Sequence, residues 1–237
     1  MLLKCWQQES VRLEGKHYEA PYPLETGVEG YPAWKIAREA GVEGEIDDKG
    51  AVQRISVVPK PFTKPHPPVF VAVNKSPEAI RFCAKNNLNP TYFMTTEGMT
   101  EFIDLYVDES KKYGRNLIRG QQQNMVRWPH ITKTAEDYDR KLLEYDLDIY
   151  KNFYGPFFPY WPQGGKSDSE HIQDIKNSGF FVGGTVEESI KQWRRTYEQV
   201  PAEYITLIFH WAQQPKDDLL EEIELFMTEV LPELEIP

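Results

Sequence analysis

VVPKPFTKPHPPVFVAVNKSPEAIRFCA, residues 57–84, is the stretch whose reading decides the fold. Pro59, Pro61, Pro65, Pro67 and Pro68 hold the approach extended and withhold most ladder donors. Val69 to Val73, VFVAV, is an unbroken run of β-formers. A run without alternation suits a strand buried on both faces, as in a parallel sheet. Asn74 and Lys75 turn the chain, Ser76 is an N-cap, Pro77 fits the first helical position, and Glu78 suits the positive helix end. Ile80, Phe82, Cys83 and Ala84 give the helix a face to bury. The unit has two readings. It is an ordinary β–α step, or it is an anion site, because a helix N-terminus above a parallel strand offers free N–H groups to a phosphate.

The chain on either side extends the same pattern. NPTYFM, Asn89 to Met94, reads as a second buried strand, and the helix at about 77–87 joins the two as a right-handed parallel βαβ unit. A helix follows from about Thr100 to Tyr113, ended by Gly114. Gln121 to Ile131 reads as the next strand, and its C-terminal end gathers Arg127, Trp128 and His130. Thr134 then caps one long helix, with Asp137 in capping-box-like spacing. Thr185 and Glu188 form a further capping box. YITLIFHW, Tyr204 to Trp211, is the last strand, with His210 and Trp211 at its end, and LLEEIELFMTEVLPEL closes the chain as a helix. Val52 to Val58 alternates and reads as a half-exposed strand. Two stretches fall outside the pattern. Residues 20–54 form an irregular excursion in which only Pro32 to Ala40 looks helical. Residues 154–165, YGPFFPYWPQGG, form an aromatic loop that suits a core plug, an oligomer contact or a pocket lid.

Composition narrows the function classes. The 237 residues are 40% hydrophobic and 13% aromatic, enough for one large folded domain, 1–237. A net charge of -10 disfavours nucleic acid and acidic membrane surfaces as partners. Two cysteines make neither a disulfide framework nor a metal cluster, which fits a reducing cytoplasm, and no apolar run suggests a membrane span or a signal peptide. The five histidines lack metal-ligand spacing, and neither a nucleophile elbow nor a P-loop is present. His130 and His210 each follow a strand and are candidate acid–base or flavin-contacting groups, with a structural role as the other reading. Trp128 and Trp211 are candidates to flank a flavin ring.

Residues 55–237 resemble the bacterial luciferase-like flavin-dependent monooxygenases. The proline approach, apolar strand and SPEA helix start at Ser76 to Ala79 carry the likeness, with GGTVEESIKQW at Gly183 to Trp193, YITLIFHW, and LFMTEVLPEL near the end. The opening, LLKCWQQESVRLEGKHYEAP, resembles the family's segment halfway round its barrel. The resemblance implies an α/β fold, a partial (β/α)8 TIM barrel lacking roughly the first half. A full barrel takes about 250 residues, so the expectation is a fragment or a natural short variant. It also implies reduced FMN supplied by a separate flavin reductase, with F420 as the other choice of cofactor, and O2 and a small organic molecule as substrates. Homo-oligomerisation is expected. Carried over residue by residue, Asn74, Ser76, Pro77 and Glu78 match the family's flavin-phosphate turn, although family members often have a serine where Asn74 stands. The family's catalytic histidine belongs to the part not matched, so no catalytic residue is assigned. The alternative is a non-catalytic flavin-binding or oligomerising barrel fragment.

Overall fold

In the computed structural model, which describes residues 1–154, 166–209 and 214–234, the proline approach closes one compact unit and the VFVAV strand opens another. The units are Met1–Pro68 and Val69–Pro237.

The first unit holds α1 (Leu2–Gln7), a hairpin of β1 (Leu13–Glu14) and β2 (Glu19–Ala20), and α2 (Trp34–Ala40). The alternating Val52 to Val58 does not form the expected strand. It makes isolated bridges, Val52 with Val28 and Ile46, and Ile55 with Val11. Side chains hold this unit where ladders do not. The Lys60 ammonium donates to the carbonyls of Cys5, Gln8 and Glu9 at 3.1, 2.6 and 2.9 Å, a cation on the negative end of α1. Arg54 donates to the Ser10 hydroxyl at 2.7 Å and to the Ser10 carbonyl at 3.0 Å.

The second unit is the expected parallel α/β structure. Its elements are β3 (Phe70–Val73), α3 (Pro77–Asn86), β4 (Asn89–Tyr92), α4 (Thr96–Lys111), β5 (Asn124–Thr132), α5 (Ala135–Lys141), α6 (Leu147–Ile149), α7 (Asp168–Asn177), β6 (Phe181–Thr185), α8 (Val186–Gln199), β7 (Tyr204–Leu207) and α9 (Lys216–Leu225). All its strand pairs are parallel: β3 with β4, β4 with β5, β5 with β7, and β5 with β6. Asn124 and Met125 pair with β4 and with β7, so those two strands take opposite edges of β5. β6 joins the C-terminal half of β5, from Trp128 to Thr132. Sequence reading passes over β6 as a strand because its Gly183 and Gly184 are poor β-formers. They serve close approach: a Cβ at Gly183 would overlap the His130 carbonyl and the Tyr138 ring.

The two faces of the sheet differ. Tyr92 lies under α4, and its hydroxyl donates to the Phe102 carbonyl at 3.2 Å. On the opposite face the Asn124 amide reaches Thr91 and Thr206 at 3.2 and 3.0 Å. Phe70 shares that face by register, and its ring meets Tyr204 edge-on at 5.1 Å.

The helix after Thr134 is not one continuous helix. Thr134 does cap it, accepting the Asp137 N–H at 3.1 Å. It then passes through π turns at Leu142–Asp146 and Tyr150–Tyr154 on either side of α6, and a third π turn, Phe226–Val230, comes after α9. Each π turn inserts a residue and re-aims the next turn of helix, which here lets Leu142, Leu147 and Tyr150 all reach one core.

Candidate functional site

The turn between β3 and α3 has the expected local form. Lys75 takes a left-handed conformation, φ 57°, and brings Ser76 to the cap. The Ser76 hydroxyl accepts the Ala79 N–H at 3.2 Å. Pro77 has no N–H. Among the described residues, the N–H groups of Ser76 and Glu78 show no acceptor, and they open at the positive end of a ten-residue helix. Asn74 is exposed at the end of β3. This donor set fits a phosphate in its backbone part. The hydroxyl part is engaged elsewhere, since Ser76 Oγ donates to the Glu78 carboxylate at 3.3 Å. Glu78 points into solvent and pairs with Arg81 at 3.7 Å.

Trp128 lies elsewhere, 1% exposed inside an aromatic core. Phe180 tilts against it at 4.1 Å, Phe93 meets it edge-on at 5.0 Å, and Phe181 lies at 5.9 Å. Tyr138, Leu142, Leu147, Tyr150 and Ile175 from α5–α7 and the intervening turns complete this cluster around the C-terminal half of β5. In this structure the indole is a core ring, enclosed by its neighbours. His210 and Trp211 lie outside the described residues, as does the aromatic loop from residue 155 to 165.

His130 sits at the centre of a buried charge network. Its Nδ1 lies 2.9 Å from Glu222 Oε2 on α9, and its Nε2 lies 2.8 Å from Asp146 Oδ2 at the end of the first π turn. A neutral imidazole has one donor nitrogen. Two nitrogens each facing a carboxylate therefore call for the imidazolium. Burial opposes that charge, but Asp146 and Glu222 outweigh it and hold the group up to about 10. The Asp146 contact is an ion pair by distance only, since neither of its oxygens completes a well-directed hydrogen bond. Glu222 also accepts from Lys141 Nζ at 2.7 Å and Gln214 Nε2 at 2.6 Å. Burial raises its pKa, and His130 and Lys141 together more than reverse this, so it lies below the usual carboxylate range. Two cations thus balance two anions, all at most 4% exposed as residues. Sequence reading singled out His130 and missed its partners. The legible hint was two charged residues, Lys141 and Asp146, among the apolar positions of one helix.

Arg127, next to this network in sequence, is fully buried beneath α4. It donates to the carbonyls of Met94 and Val126, to the Thr96 hydroxyl and to Met99 Sδ, and none of its described partners is a carboxylate. Burial pulls its pKa down to about 9.

Among the described residues no group of three or more His, Cys, Asp or Glu side chains is arranged to hold a metal ion, and no helix is long and apolar enough to cross a membrane. No family model and no curated protein matches the chain. Solved structures do. A monooxygenase, RslO1 from Streptomyces bottropensis, superposes with a TM-score of 0.69 at 14% identity, over 98% of this chain and 58% of that one. The oxygenating constituent of 3,6-diketocamphane monooxygenase from Pseudomonas putida, in complex with FMN, gives 0.66 at 14%, over 100% and 62%. An F420-dependent secondary alcohol dehydrogenase gives 0.58 at 12%, over 98% and 58%. The chain spans about three fifths of the length of these proteins. Its fold is that of the luciferase-like monooxygenases, present as part of their (β/α)8 barrel.

Proposed function

We propose that this chain contributes the flavin-phosphate side of a luciferase-like, flavin-dependent monooxygenase acting on a small organic molecule and O2. The observation that carries the reading is the turn at Lys75 and Ser76, set in this fold. It leaves two backbone N–H groups at the positive end of α3, and Asn74, two residues before the cap, is exposed. Reduced flavin, when bound, supplies the electrons that let O2 deliver an oxygen atom to the substrate. The role of the chain is to hold the phosphate through the N–H groups of Ser76 and Glu78 and the Asn74 side chain. FMN is the flavin of this reading, in line with the FMN complex among the similar structures, and F420, used by another of them, is the alternative. A separate flavin reductase, a homo-oligomeric state and a cytoplasmic location belong to the same reading. The two thiols, buried and unpaired, suit a reducing compartment.

A second reading is a non-catalytic flavin-binding protein. The described structure favours it in one respect, since His130 is locked between two carboxylates and is 3% exposed. FMN titration of the full chain tests the phosphate turn, with riboflavin as the phosphate-free control. Asn74→Ala is expected to weaken FMN binding by on the order of 1–3 kcal/mol and to leave riboflavin binding unchanged. Equal FMN affinity in wild type and variant removes the cradle. Oxygen uptake with a reductase and NADH separates the catalytic reading from the non-catalytic one.

A further inference from the structure

We infer that the cavity between the start of α4, the end of α7 and one face of α8 binds a small oxyanion, a phosphate or carboxylate group, through Arg195 and a Thr96 hydroxyl backed by the buried Arg127. The inference is independent of the flavin reading. Every residue it uses lies between Thr96 and Gln199, and none belongs to the turn at Asn74 to Glu78.

The cavity has a volume of about 220 Å³. A water molecule takes about 30 Å³ in the liquid, so the space holds an oxyanion with a short organic remainder. Thr96, Lys176, Asn177, Arg195 and Gln199 supply its polar wall, and no carboxylate lines it among the described residues. The chain has 37 acidic and 27 basic residues, so a wall whose charges are all positive runs against its composition. The polar groups are donors with hydrogens to spare. Arg195 is exposed and has no hydrogen bond or ion pair among the described residues. Asn177 Oδ1 accepts from Gln173 at 3.1 Å, which leaves the Asn177 amide hydrogens for a ligand. Lys176 is already paired with Asp139, so Arg195 is the uncompensated cation of the wall.

Behind the wall stands a second uncompensated cation. Arg127 Nη2 donates to Thr96 Oγ1 at 3.3 Å, and Arg127 Nε has no partner among the described residues. Thr96 Oγ1 in turn donates to the Gly179 carbonyl at 3.3 Å. A good O–H···O bond spans about 2.7–2.8 Å, so the hydroxyl gives up little by turning its proton to an anion. The guanidinium behind it strengthens that donation. Gly179 keeps the hydroxyl in place. Its φ is 65°, and a Cβ there would collide with the Thr96 side chain. Thr96 is also the first residue of the sixteen-residue α4, whose positive end faces the same space. The negative end of α7 opposes it, but the Ile175 carbonyl is satisfied by the Ser178 N–H and hydroxyl at 3.2 and 2.7 Å. A buried charge without a counter-charge is destabilising, and an anion bound here supplies one.

The test is calorimetric titration of the full chain at low ionic strength with inorganic phosphate and, in a second arm, with acetate. Saturable binding of one or both is expected, and the tighter of the two identifies the group that the ligand carries. Arg195→Gln is expected to weaken it about tenfold or more, the loss of a hydrogen bond to a charged group. Lys191→Gln, one turn earlier on α8 and outside the cavity, removes the same charge and is expected to leave affinity unchanged. Thr96→Val keeps the branched shape and spares the Thr95 cap, and it too is expected to weaken binding. Absence of binding by both anions overturns the proposal, as does wild-type affinity in either Arg195→Gln or Thr96→Val. An equal loss in Lys191→Gln and Arg195→Gln overturns it as well, since that marks diffuse attraction. Asn74→Ala is expected to bind both anions as wild type does. Loss there, with Arg195→Gln unaffected, would move the anion to the turn between β3 and α3, ending this proposal and leaving the flavin reading in place.

Discussion

At the scale of the residue, His130 and Arg127 are buried cations three positions apart on β5 that met burial in opposite ways. His130 has two carboxylates, and its charge is held to about 10 against an ordinary value of 6.5. Its stabilisation is whole below about pH 6.5 and is lost as pH climbs towards 10. Glu222 acts in the other direction, and its contribution fades on acidification below its ordinary 4.5. The urea midpoint of the wild-type chain is therefore expected to fall between pH 6.5 and 10, and His130→Gln to lose most of that slope. A variant with an unchanged slope would place the alkaline loss elsewhere. Arg127 has only neutral partners, and its Nε has none. Arg127→Met, beside Met94 and Met99, removes an uncompensated charge while keeping volume. It is expected to be neutral or stabilising by roughly 1–4 kcal/mol in urea titration. A loss of several kcal/mol would mean that the guanidinium's hydrogen bonds outweigh its desolvation.

At the scale of the element, the legible features were local. Ser76, Thr134 and Thr185 are caps by their neighbours within three positions, and each accepts the expected N–H. The strands at 70–73, 89–92 and 204–207 followed from runs of β-formers or apolar residues. The illegible features depended on distant partners. Propensity alone makes residues 135–154 one helix. The π turns are set by packing of Leu142, Leu147 and Tyr150 against Trp128, Phe180 and Phe181, which no neighbouring residue encodes. β6 escapes a sequence reading for the same reason, as its glycines answer to β5 and Tyr138 rather than to strand propensity. Gly183→Ala is expected to cost roughly 1–3 kcal/mol as an overpacked contact, because the nearest obstacle includes the His130 main-chain carbonyl, which cannot swing aside. Chemical denaturation beside Gly30→Ala separates crowding from backbone strain, since Gly30 has φ 71° and open space around it.

At the scale of the whole molecule, the order of motifs from the VFVAV strand to the closing helix was enough to name the barrel type, and the parallel pairing of β3, β4, β5 and β7 agrees with it. Of the candidate site, the local form of the turn from Asn74 to Glu78 was legible, because its cap is made of consecutive residues. The rest of it could not be read: Trp128 proved to be a core ring, and His130 the hub of a network assembled from three separate segments.

That network also has a consequence in time. His130 and Glu222 are 92 positions apart, and Lys141 and Glu222 are 81 apart. Closing such long loops is slow relative to forming α3, α4 and the strands between them. We therefore expect the four charges to meet late, when α9 docks onto an already formed sheet. Glu222→Ala should accelerate unfolding and leave the refolding rate almost untouched, a φ-value near zero. Stopped-flow traces in which refolding slows by as much as unfolding quickens would put the docking of α9 inside the transition state. With late docking, the His130 network sets the lifetime of the folded chain and has little part in how fast it is reached.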